Sequence, residues 1–392
     1  AERLALVNGR VILAHEIVVG KAVVVEGDTI AAIAATADLG AETATLDVGG
    51  RFVAPGLIDI HVHGARGHTF NEPTAAAFAT IAEVHVAHGV TSLLATLATA
   101  SIDSLIESLE FSRQWMREPG AGARVLGVHL EGPYFSLAQR GAQDPAHIRT
   151  PDDGTPDRLL EHHDVLQIMS FAPELPGALA LAARLAELDV VPAAGHSSAT
   201  DADVLAAMER GLRHIIHLWS GQSSTVREGP WRRPGLLEAA LVFDGLTAEL
   251  IADNKHLPPT LMKLAYKCLG QDRLCVVSDA TSGAGLPEGA RFRMGGMEYE
   301  VRDGVGMTLD RTAFAGSTTL VNQMVPILRD VAGIPLVEAV RMASLTPARV
   351  IGWDGRKGSL EAGKDADIAI FEDDFTAWRT MLGGQWAYIR PP

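Results

Sequence analysis

Two imidazoles set two residues apart stand in Ala54-Pro55-Gly56-Leu57-Ile58-Asp59-Ile60-His61-Val62-His63-Gly64, a stretch that reads as a short buried strand ended by glycine. Side chains alternate along a strand, so His61 and His63 leave on the same side. Two neutral imidazoles converging on one point suit a divalent transition metal. Later in the chain Glu131, His196 and Asp279 each close a run that reads as a strand, and His217 lies near the end of another. Three or more imidazoles with a carboxylate form the ligand set of a hydrolytic metal site, typically zinc with one position left for water. Asp279 follows the apolar-rich Cys275-Val276-Val277-Ser278 and is the natural acceptor for a proton from that water.

Such residues need a scaffold that brings distant strand ends to one rim. From residue 53 the sequence alternates strand, loop and helix, with candidate strands over 57–63, 91–97, 125–131, 165–171, 190–196, 214–219, 246–253 and 274–279. Helical stretches fall between them, over 74–88, 102–116, 178–188, 201–210 and 258–269. The eight alternations predict an α/β fold, a (β/α)8 TIM-type barrel, whose active sites sit at the C-terminal strand ends. Two further helices are expected over 318–331 and 335–351, the second with its proline at the first helical position. Residues 1–53 and 358–392 read as short β segments that together form a small β-sandwich domain, with the barrel over 54–357.

Composition narrows the function. With 47% hydrophobic residues the 392-residue chain can bury a large core, and no apolar run is long enough to span a bilayer. A formal charge of −15 argues against nucleic acid or an anionic membrane as partner. The first residues lack a signal-peptide pattern, and two cysteines, Cys268 and Cys275, are too few for a disulfide framework, so a cytoplasmic location is expected. Of the other histidines, His162 and His163 read as a solvated turn, His85 and His88 as a helix face, and His214 as outward or in the barrel wall. His68 and His129 read as neighbours of the site rather than ligands.

The chain resembles the amidohydrolase superfamily and, within it, the N-acetylglucosamine-6-phosphate deacetylases. Carrying the resemblance are the Pro55 to Gly64 stretch, His129-Leu130-Glu131-Gly132-Pro133, Gly195-His196-Ser197, Ile251 to His256, Val277-Ser278-Asp279-Ala280-Thr281, Phe314-Ala315-Gly316-Ser317 and the tail segment from Gly358 to Ile370. Dihydroorotase-like relatives use a carboxylated lysine from the fourth strand, and no lysine lies between Val165 and Pro173. The resemblance implies Glu131, His196 and His217 as ligands of the main metal, and Asp279 as general base and then general acid. It implies His61 and His63 as ligands of a second ion, with Glu131 bridging. One or two divalent ions are thus expected, zinc first, with iron(II) or manganese(II) compatible. His256 and the Phe314, Ala315 and Gly316 segment would contact substrate.

The departures fall in the substrate pocket. After Gly141 the family usually carries a Thr-His-like pair, replaced here by Ala142 and Gln143, and glutamine cannot carry charge. The turn after His217, with backbone amides for a phosphate, reads Leu218-Trp219-Ser220-Gly221-Gln222, which makes Ser220 and Gly221 the candidates. Arg227 and Arg232 compete for the role of a phosphate arginine, which in the family often reaches across a dimer. Trp219 and Trp231 could stack on a sugar face. The resemblance therefore implies a homodimeric deacetylase of an acylated amino-sugar phosphate. The alternative is the same metal site acting on another acylated sugar, a cyclic amide or a lactone. A non-catalytic scaffold is disfavoured by the intact ligand set.

Overall fold

The computed structural model describes residues 2–392. Eight parallel strands form one sheet in chain order: β1 (Leu57–Val62), β2 (Val90–Leu97), β3 (Arg124–Glu131), β4 (Leu166–Phe171), β5 (Val191–Ala194), β6 (His214–Ile215), β7 (Thr247–Leu250) and β8 (Leu274–Val276). Helices cover its outer face, several with polar starts: Thr74 and Ser101 accept hydrogen bonds from the first-turn amides of Ala77 and Ser104. Burial of Leu, Ile and Val from strands and helices alike makes one continuous core.

Closure between β8 and β1 occurs beyond the ladder. Asp279 N donates to His61 O at 2.9 Å, and His63 N donates to Ala280 O at 2.8 Å. Beneath these bonds the buried Asp59 carboxylate accepts from Ser278 Oγ and from the amides of Ser278 and His61. Burial outweighs these bonds and raises the Asp59 pKa to about 7. One carboxylate thus locks the strand that leads to His63 against the one that leads to Asp279.

Both chain ends build the small β domain. A four-stranded sheet from the N-terminal segment faces a six-stranded sheet in which Ile368–Phe371, Ala377–Leu382 and Gln385–Ile389 join Phe52–Pro55, Arg10–Ile12 and Ile17–Val18. Leu6, Val23 and Val25 from one sheet meet Val53, Ile368 and Ile370 from the other, the apolar interface of a sandwich.

Three expectations need correction. The late strands are shorter than the pattern implied, so His196, His217 and Asp279 lie just past β5, β6 and β8. The helix expected over 335–351 is two, Leu336–Met342 and Leu345–Val350, and Pro335 precedes the first of them. Pro347 has no N–H for the carbonyl of Ala343 four residues back, and that carbonyl instead accepts from Ile58 N at 3.0 Å. A three-stranded sheet, Arg291–Met294, Met297–Arg302 and Val305–Thr308, follows the eighth strand and was not anticipated.

Candidate metal centre

At the C-terminal rim Glu131 stands between two pairs of histidines. Its Oε1 lies 3.1 Å from both His196 Nε2 and His217 Nε2. Its Oε2 lies 2.8 Å from His63 Nε2 and 3.3 Å from His61 Nε2. Asp279 Oδ1 approaches the second pair, 3.3 Å from His61 Nε2 and 3.2 Å from His63 Nε2. All six side chains are buried.

The backbone pays a conformational toll to aim them. His196 and Asp279 take positive φ values of 41° and 46°, and Trp219 beside them takes 70°, a region costly for any residue with a Cβ. The loop over His196 passes so close that a Cβ on Gly221 would lie 2.6 Å from His196 Nδ1. Beside Asp279, a Cβ on Gly316 would lie 2.6 Å from the Asp279 carbonyl oxygen. The ring of His196 is fixed by Nδ1, which contacts Gln139 O at 2.8 Å and turns Nε2 to Glu131.

The donor set fits a cation. Within the buried cluster His61 Nε2 and Glu131 Oε2 have no hydrogen-bond partner among the described residues, although each lies within 3.3 Å of the other. Buried polar atoms brought this close with no hydrogen bond between them are what a divalent ion would satisfy. Glu131, His196 and His217 offer ligand atoms within 4.8 Å of one another, as do His61, His63 and Glu131.

Electrostatics agree. Burial alone would raise the Glu131 pKa, but the fields of His61 and His63 and hydrogen bonds from His196 and His217 hold it well below the usual range. Asp279 is likewise lowered, by His61, His63 and His217 against burial. Burial pushes the His63 ring down, but Glu131 and Asp279 outweigh it and bring its pKa up to about 9. His129 is different: both ring nitrogens are used, by Ile60 O at 3.2 Å and Ser170 Oγ at 2.9 Å, and burial lowers its pKa to about 3. It is wall, not ligand.

A cavity of about 290 Å³ opens above the centre, at the lower end of the range for small-molecule sites. Ala142, Gln143, Ser220, Gly221, His256, Phe314 and Gly316 line it with His63, Glu131, His196, His217 and Asp279, whereas Ala315 is buried behind it among Phe292 and Met294. Gln143 Oε1 accepts from Thr99 N at 2.9 Å, so its carbonyl end is already engaged. His256 is held through Nδ1 by Asp253 Oδ2 at 2.7 Å and packs on Phe314, ring centroids 4.9 Å apart. Trp219 also faces the cavity, and Gln222 holds its turn by accepting from Trp219 N and donating to Ile216 O.

Arg227 and Arg232 do not reach this cavity. They sit opposite each other across an exposed hairpin of Val226–Glu228 and Trp231–Arg233, and Trp231 is 76% exposed. Neither arginine meets a carboxylate among the described residues.

Sequence reasoning missed several supports. Glu249 in β7, Asp59 in β1 and Gln222 bond the residues around the centre without lining the cavity. Of the two expectations for His214, the structure takes the wall: it is buried in β6 and bonded to Glu249 and Thr247. His85, expected on a helix face, is also buried, and burial takes its pKa to about 3.

Known proteins share this arrangement of the whole chain. The model of the Amidohydrolase family matches residues 52–387, and that of the NagA composite domain matches residues 4–53. An N-acetylgalactosamine-6-phosphate deacetylase of Escherichia coli O157:H7 is 33% identical over 86% of this chain and 87% of its own. An N-acetylglucosamine-6-phosphate deacetylase of Haemophilus influenzae is 31% identical over 98% of this chain and 99% of its own. The crystal structure of N-acetylglucosamine-6-phosphate deacetylase from Pasteurella multocida superposes with a TM-score of 0.92 at 30% identity, covering 98% of this chain and 99% of that one.

Proposed function

The chain belongs to the amidohydrolase family, and from that footing we propose that it hydrolyses N-acetylglucosamine 6-phosphate to glucosamine 6-phosphate and acetate. The observation that carries the reading is the Glu131 carboxylate set between two histidine pairs with Asp279 beside them, at the floor of a cavity of small-molecule size. Relatives named as deacetylases of amino-sugar phosphates supply the substrate class.

In this proposal Glu131, His196 and His217 would hold one ion, and His61 and His63 together with Glu131 would hold a second. Zinc is the first choice, and iron(II) or manganese(II) fit the same donors. A bound ion would supply water acidified toward neutrality and a Lewis acid for the amide carbonyl. Asp279 accepts the proton that water gives up as its oxygen bonds the carbonyl carbon. Asp279 then donates that proton to the nitrogen as the C–N bond breaks, because an amide anion is too poor a leaving group. The remaining products are acetate and the free amine.

Around the acyl group, Gln143 is a neutral donor: with its carbonyl held by Thr99, it presents N–H groups to a substrate oxygen. His256, Phe314 and Gly316 form one side of the sugar site, and Ala142, Ser220 and Gly221 the other. Two arginines facing each other on one hairpin repel unless an anion lies between or beyond them. That pair, outside its own cavity, supports a homodimer in which Arg227 or Arg232 of one copy meets the phosphate held by the other. The free thiols of Cys268 and Cys275 fit a reducing, cytoplasmic setting.

A second reading keeps the centre and changes the substrate, to N-acetylgalactosamine 6-phosphate, another acylated sugar, a cyclic amide or a lactone. It draws on Ala142, Gln143 and the Leu218 to Gln222 turn, the positions where the pocket departs from the family pattern. Acetate release by metal-analysed protein from the two phosphorylated sugars and from unphosphorylated N-acetylglucosamine separates these readings. Efficient turnover of N-acetylglucosamine 6-phosphate is expected. Turnover of the galactosamine epimer alone would move the substrate, and no acetate from any of them with metal bound would overturn the deacetylase reading.

A further inference from the structure

Glu249 lies in β7, flanked by Ala248 and Leu250, and is fully buried. An ionised carboxylate in such a place is costly unless hydrogen bonds and opposite charge surround it. Its partners are all histidines of the centre or their neighbours. Oε1 lies 2.7 Å from His61 Nδ1 and accepts from His217 N at 3.3 Å, while Oε2 lies 2.8 Å from His214 Nε2. His214 is braced in turn by Thr247 Oγ1 at 2.7 Å from its Nδ1.

Both Glu249 oxygens face ring nitrogens or an amide N–H, so in the neutral ring that a metal requires, His61 keeps its proton on Nδ1 and presents the Nε2 lone pair toward Glu131 and Asp279. The other rim histidines have less. His63 Nδ1 and His217 Nδ1 have no partner among the described residues, and His196 Nδ1 rests on a neutral carbonyl. Among the described residues Glu249 is the one carboxylate outside the cavity that bonds a rim imidazole, and through the His217 amide it touches both sides of the cluster. It does not line the cavity, so it acts through the histidines. Nor does it form a separate site with His61 and His129, because both nitrogens of His129 are already taken.

We propose that Glu249 is a positioning residue for both halves of the metal centre: it fixes the tautomer and aim of His61 and the chain at His217, and so sets how tightly ions are held. The proposal rests on the reading of His61 and His217 as ligands. Outer carboxylates of this kind are worth about 10–100-fold in metal affinity.

Glu249→Gln preserves shape and removes the charge. Metal dissociation constants from chelator competition, and the rise in Tm on adding zinc, are compared for wild type, Glu249→Gln, His61→Asn and the double variant. The expected result is an affinity about 10–100-fold weaker in Glu249→Gln, a smaller zinc-dependent rise in Tm, and kcat that recovers at high zinc. The double variant should bind no more weakly than the product of the singles would require; it should match His61→Asn closely, apart from any loss carried by His217, because the larger part of the effect runs through one ring. An equal fall in Tm with and without zinc, at unchanged affinity, would assign Glu249 a purely structural role and overturn the proposal. Wild-type affinity in Glu249→Gln with weakened binding in His61→Asn would also overturn it while leaving the ligand reading intact. Unchanged affinity in His61→Asn would instead remove the ligand reading, and the proposal with it. If the glutamine variant does not fold, Glu249→Asp, which keeps the charge on a shorter arm, is measured in the same way and judged by the same outcomes.

Discussion

The rim of the barrel and the hairpin that follows its sixth strand treat their charged residues in opposite ways. At the rim, Glu131, Asp279 and four histidines are buried against one another, and their positions are set by strand ends, tight turns and buried carboxylates. On the hairpin, Arg227 and Arg232 lie in solvent beside Trp231 and bond only to nearby carbonyls. A barrel can pre-organise chemistry within one chain, because a buried charge must be compensated where it stands. Exposed arginines carry no such obligation, so the hairpin gains a defined role only when an anion or a second copy meets it.

The rim should therefore break abruptly and the hairpin gradually. Glu131→Ala has the largest expected effect: metal content falls by at least about one ion per chain and turnover is lost, because four imidazoles lose their common anion. Full metal content by elemental analysis would contradict its role. Asp279→Asn comes next. It should keep its metal while kcat falls by about 10²–10⁴-fold, the usual worth of a proton carrier; near wild-type kcat would remove Asp279 from that role.

Smaller effects belong to titration and to the hairpin. In the metal-free centre His63 carries a proton below about pH 9, and a metal ligand must be neutral. Zinc affinity should thus fall as pH drops through 9, by about tenfold per unit for each proton displaced, and chelator competition that gave a flat profile would show that His63 is not displaced. Arg227→Ala or Arg232→Ala should raise KM for a phosphorylated substrate by about tenfold or more, the worth of a charged hydrogen bond, with little change for its dephosphorylated form. Equal effects on both forms would dismiss the phosphate role. Trp231→Ala should change urea stability by less than about 0.5 kcal/mol, as for other exposed positions; a larger loss that depends on protein concentration would locate it in an interface between copies.

Much of the rim was legible because its residues sit where apolar strand patterns stop. His61 and His63 alternate with Ile60 and Val62, and Asp279 follows Val276-Val277-Ser278. The supports were harder to see, since each is a lone polar residue inside an apolar run. Glu249 between Ala248 and Leu250, and Asp59 between Ile58 and Ile60, carry the same signal: a buried carboxylate that must find a partner far away in sequence. Periodicity does not say which partner. Pro347 did mark the break in the long helix, and the rule that a proline releases the carbonyl four residues back would have found it. The sheet over 291–308 was obscured by its many polar outward positions, and its apolar face, Phe292, Met294, Tyr299 and Val301, packs on a small cluster of its own.

The most direct test of the account is turnover as a function of bound metal. Protein stripped with a chelator should release no acetate from N-acetylglucosamine 6-phosphate, and activity should return as one or two equivalents of zinc, iron(II) or manganese(II) bind. Full activity in protein shown by elemental analysis to hold no metal would contradict the metal centre on which the account depends.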